Sequence, residues 1–65
     1  MKNMYDVLQL LKKYHIFIYT GNRDADLDLM EMELEELYDA KIVPEKDFIQ
    51  AQLLIRREKR QLRTK

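Results

Sequence analysis

The sequence predicts an all-α fold, a small three-helix bundle with a short extended linker between the first and second helices. Three observations carry that reading. Apolar residues recur at helical spacing in three separate stretches. One Gly and one Pro are too few for an all-β chain with its many tight turns. Charged residues and Leu dominate, as they do in helical proteins. At 65 residues the chain makes a single helical domain spanning 1–65, with its last residues, about 60–65, expected to fray. A domain of this size buries only about 60% of the surface its unfolded chain exposes.

The first helix is expected over 4–14. Met4, Val7, Leu8, Leu11 and Tyr14 share one face, and the Asn3 side chain can accept an orphan backbone N–H as the N-cap. "HIFIYTGNR" follows, at 15–23. Ile16, Phe17, Ile18 and Tyr19 favour an extended chain. No other segment reads as a strand partner, so the stretch is taken as a short linker or the end of helix 1. Thr20-Gly21-Asn22 closes it with a turn, Gly taking φ > 0 without steric cost.

The second helix is expected over 26–40, with Leu27, Met30, Leu34 and Leu37 on its apolar face and Asp24 or Asp26 as its cap. Asp26, Asp28 and Glu31 sit near its start, where the helix dipole favours anions. "KIVPEKDF" turns into the third helix, Pro44 suiting a first helical turn. Phe48, Ala51, Ile55 and Leu62 then share a face, flanked by Leu54. The expected core is Leu8, Leu11, Leu34, Leu37, Phe48, Ala51 and Ile55.

This order of features resembles the YqgQ-like family, small bacterial proteins of unassigned function. The resemblance covers nearly the whole chain, and "IFIYTGNR", the "ELY" around Leu37 and Tyr38, and "LIRRE" are its most specific parts. It implies an all-α fold and a cytoplasmic setting, and it brings no catalytic motif. It also implies a Gly where this chain has Ala40-Lys41.

The neutral total charge hides an asymmetry. Residues 1–21 carry three cations against one acid, residues 22–47 three cations against ten acids, and residues 48–65 six cations against Glu58. A chain sorted this way pairs its acidic and basic parts or shows them to different partners. On α-helical geometry Arg56, Lys59, Arg60 and Arg63 form one stripe, extended a turn by Gln52. Such a stripe suits phosphates, and Arg adds bidentate geometry. Against this stands the ordinary use of cations at a helix C-terminus, with Arg56 and Arg60 meeting acids of helix 2.

Tyr14, Phe17 and Tyr19 lie close together beside Lys12, Lys13 and His15, and aromatics mixed with cations are how single strands are held. A bundle this small also needs aromatics as core. Tyr14 and Tyr19 are the expected exposed pair, since a buried Tyr needs a hydroxyl partner.

Other chemistry is not expected. Asp24, Asp26, Asp28 and Glu35 fit positions 1, 3, 5 and 12 of a calcium loop, but the obligatory Gly position is Leu29. With one His and no Cys, a zinc site of Cys/His type is excluded. No Ser or Cys is present to pair with His15 as a nucleophile. No segment is apolar enough to span a membrane. Asp6 and Gln9 interrupt the first apolar stretch, and no small-residue cleavage site follows it.

The expectation is therefore a non-catalytic cytoplasmic binding protein without cofactor or metal. Its partner would be single-stranded nucleic acid, held by Arg56, Lys59, Arg60 and Arg63 with Tyr19 or Tyr14 as a stacking surface. The alternative is a protein-interaction module, homodimeric or with another partner, using the acidic helix (Glu31, Glu33, Glu35, Glu36 and Asp39) or exposed apolar surface.

Overall fold

The structure is a computed structural model that describes residues 1–63. Thr64 and Lys65, the last two residues of the basic C-terminal segment, lie outside the described residues. Three helices follow one another: α1 (Met4–Lys13), α2 (Arg23–Asp39) and α3 (Glu45–Arg63). There is no strand among the described residues.

Helix α1 starts where Asn3 accepts the Asp6 N–H at 3.2 Å, and the Asp6 carboxylate reaches back to the Lys2 N–H at 2.7 Å. The first bond satisfies an orphan donor of the helix, and the second fixes the residue before the cap, one position short of a capping box. Helix α2 begins three residues earlier than its apolar periodicity indicates. Its cap is Asn22, which accepts the Ala25 N–H at 3.0 Å, and neither Asp24 nor Asp26. Asp26 is turned inward for a different task, described below. Helix α3 begins directly after Pro44, whose carbonyl accepts the Phe48 N–H at 3.0 Å.

Both α1 and α2 end in the same way. After α1, the Ile16 N–H bonds the Leu11 carbonyl and the His15 N–H bonds that of Lys12. After α2, the Ile42 N–H bonds the Leu37 carbonyl and the Lys41 N–H bonds that of Tyr38. These are Schellman closures, which place the residue after the cap in the left-handed region. His15 (φ 63°) and Lys41 (φ 60°) occupy those positions without being glycine. The helix end at Ala40-Lys41 is thus built by Lys41 instead of a glycine. Gly21 (φ 88°) turns the linker into α2.

The core consists of Val7 and Leu11 from α1, Leu27, Met30, Leu34 and Leu37 from α2, Val43 from the α2–α3 turn, and Ala51 and Ile55 from α3. Two residues expected in the core, Leu8 and Phe48, are only partly buried and pack against it. Phe48 stacks on Tyr38 with ring centroids 4.2 Å apart and planes 10° from parallel, which joins the end of α2 to the start of α3. Between α1 and α2 the linker alternates: Ile16 and Ile18 turn toward the core, whereas Phe17 and Tyr19 turn outward. No helix is long and apolar enough to cross a membrane among the described residues.

Candidate nucleic-acid interface

The basic stripe is assembled as its spacing predicts. Arg56, Lys59, Arg60 and Arg63 all lie on α3 and together line one shallow depression. Their electrostatic situations differ. The Lys59 ammonium, only 15% exposed, lies 2.5 Å from Asp28 and 2.9 Å from Glu31. Those hydrogen bonds, to Asp28 first and Glu31 second, hold its pKa above the ordinary lysine value, while partial burial works against them. Arg56 approaches the other side of Glu31 at 3.6 Å and stays largely exposed. Glu31 is therefore bracketed by two cations of the neighbouring helix. Arg57, Arg60 and Arg63 are exposed and make no ion pair among the described residues.

The acidic and basic parts of the chain thus meet in part, across the α2–α3 interface. Lys59 does so fully and Arg56 loosely. Arg60, which the sequence also allowed to meet acids of α2, does not. A phosphate entering the depression meets three guanidinium groups and one ammonium already compensated by two carboxylates.

The aromatic candidates separate. Tyr14 is half-buried at the end of α1 and packs against the core. Tyr19 is 89% exposed on the linker. Phe17, expected to be the more buried ring, is 70% exposed and takes the place beside Tyr19 that Tyr14 was expected to hold. Strict alternation within "IFIY" is the signal that puts Phe17 and Tyr19 on one side. Neither tyrosine lines the arginine depression.

The linker is tied to α2, and the start of α2 is tied to α3. Asp26 is buried and accepts from both the Thr20 N–H (2.7 Å) and the Thr20 hydroxyl (2.6 Å). Three residues beyond Thr20, Arg23 bonds Glu58 at 3.1 Å, one residue before Lys59.

Asp24, Asp26, Asp28 and Glu35 all fall within α2, so their side chains radiate from a helix and do not wrap one point. No group of three or more His, Asp or Glu side chains is placed to hold a metal among the described residues. His15 is exposed and serves as the left-handed closing residue of α1.

Comparison with known proteins adds a relationship. Residues 1–61 match the family described as YqgQ-like. The uncharacterized protein YqgQ of Bacillus subtilis (strain 168) is 34% identical over 58 residues, which covers 89% of this chain and 82% of that protein.

Proposed function

The chain belongs to the YqgQ-like family, and from that premise we propose that it is a non-catalytic protein that binds single-stranded nucleic acid weakly through the outer side of α3. The observation that carries this reading is the depression lined by Arg56, Lys59, Arg60 and Arg63. Arg60 and Arg63 hold phosphates, Arg56 assists, and Lys59 is kept mainly as the structural tie to α2. Guanidinium groups suit the task because their planar forks pair phosphate oxygens two at a time. Tyr19 offers a stacking surface that any base can use; half-buried Tyr14 contributes through packing. A cytoplasmic setting belongs to the same proposal.

The test is a titration of the protein against single- and double-stranded oligonucleotides at two salt concentrations. Binding to single strands should weaken steeply as salt rises, because each neutralised phosphate releases counterions. A second reading, a protein-interaction module, is supported by the exposed apolar residues Met32, Ile49 and Leu53. Absence of oligonucleotide binding at low salt, with salt-insensitive self-association, would favour it.

A further inference from the structure

We infer that the linker and α1 form a slot for a single nucleobase, separate from the arginine depression, with Phe17 and Tyr19 as its two walls. This rests on the single-strand reading above and gives it a base-holding part. A cleft of about 430 Å³ runs beside the linker, lined by Leu8, Gln9, Lys12, Ile16, Phe17, Ile18 and Tyr19. Leu8, Ile16 and Ile18 pack against the core and form its apolar floor. The two outward rings stand two residues apart on a segment that alternates in and out. On an extended chain that separation is about 6.6 Å. One planar base between two rings needs twice the ~3.4 Å spacing of stacked bases. An extended backbone thus spaces the two side chains for one base between them.

The polar groups around the slot suit a nucleotide. Lys12 is exposed, makes no ion pair among the described residues, and belongs to the last turn of α1. It supplies the positive charge for a phosphate. Gln9, one turn earlier, carries both a donor and an acceptor for a base edge. The backbone N–H and C=O groups of Phe17, Ile18 and Tyr19 form no hydrogen bond among the described residues. A nucleotide is favoured over an apolar ligand because the cation and the amide lie on the same cleft as the rings.

The slot is held in shape before any ligand arrives. One end of the linker is fixed where the Ile16 N–H bonds the Leu11 carbonyl at 3.0 Å. The other end is fixed where Thr20 donates twice to Asp26. Between them the two isoleucines anchor the chain from below. A binding strand therefore does not have to order these rings, which limits the entropic cost of association.

The test compares two single-stranded oligonucleotides of equal length, one bearing bases and one abasic throughout, against the full chain and its Phe17→Ala, Tyr19→Ala and Arg60→Gln variants. The unmodified protein should prefer the base-bearing strand by at least about fivefold, the lower end of what stacking contributes. Phe17→Ala and Tyr19→Ala should abolish most of that preference while leaving abasic binding unchanged. Arg60→Gln should weaken both strands and keep the preference. Equal affinity of the unmodified protein for both strands would overturn the slot and leave the phosphate grip standing. A preference that survives both ring substitutions would also overturn it. Binding of neither strand would remove the single-strand reading itself, and the slot with it. Both ring positions are exposed, so the substitutions should leave the thermal midpoint unchanged, and that control separates loss of a slot from loss of the fold.

Discussion

Lys41 and His15 each hold a positive φ that glycine adopts without cost. For an L-residue this conformation costs roughly 1–2 kcal/mol. Lys41→Gly should therefore raise stability by about 1 kcal/mol, part of the relief being offset by the extra freedom glycine has when unfolded. Chemical denaturation would read the gain directly, and a loss of stability would mean that the Lys41 side chain contributes more than its backbone costs. Lys59 makes a second prediction at this scale. Its folded pKa is raised, by Asp28 first and Glu31 second. The associated stabilisation is fully present below the unfolded lysine pKa and is lost as pH rises through the folded value. Above about pH 10.4 the native protein should lose stability more steeply than a Lys59→Met variant. Parallel pH profiles for the two proteins would show that the Asp28–Lys59–Glu31 cluster does not act on folding.

Asp26 decides the geometry of the linker. It lies in the first turn of α2, yet its carboxylate is spent on Thr20 and not on capping its own helix. Asp26→Ala would remove both bonds from Thr20 to a charged carboxylate and should cost about 1–3 kcal/mol. The expected signature is local: amide exchange should accelerate over 16–20 more than in the middle of α2 or α3. Uniform acceleration would assign Asp26 a global role instead. The contrast between Leu34 and Phe48 concerns the packing of the elements. Leu34 is fully buried at the centre of α2, and Leu34→Ala should cost about 2–5 kcal/mol. Phe48 keeps one side on Tyr38 and part of its surface in solvent. Phe48→Ala should cost less than the roughly 3–5 kcal/mol of a fully enclosed ring. Equal losses on thermal unfolding would contradict the burial pattern.

Across the whole molecule, helix periodicity is enough to recover three helices and most of the core, since that signal is local. Leu11, Leu34, Leu37, Ala51 and Ile55 are readable because each sits in a recurring apolar stripe. Val43 is not, because a single Val before a Pro has no period, and only the closing of α2 onto α3 buries it. The start of α2 reads late because Arg23, Asp24 and Ala25 carry no apolar periodicity, although Asn22 is available as a cap. The basic stripe is legible as a stripe. Which of its members are compensated is not, because the partners of Lys59 lie about thirty residues away on another helix. The exposure of Phe17 is legible in the alternation of "IFIY", which sets Ile16 and Ile18 against Phe17 and Tyr19, and it is missed only when an aromatic is taken as core by default.

The central claim is that α3 holds phosphates through a particular side of the helix, and the most direct measurement is the salt dependence of single-strand binding in three proteins. Replacing Arg60 and Arg63 together by Gln preserves good helix formers. The slope of log affinity against log salt should then become shallower by roughly 0.7 for each phosphate no longer neutralised. Arg57 lies off the stripe and does not line the depression, so Arg57→Gln should leave both slope and affinity close to those of the unmodified protein. An equal loss at Arg57 would reduce the stripe to undirected charge, and an unmodified protein that binds no single strand at low salt would contradict the account outright.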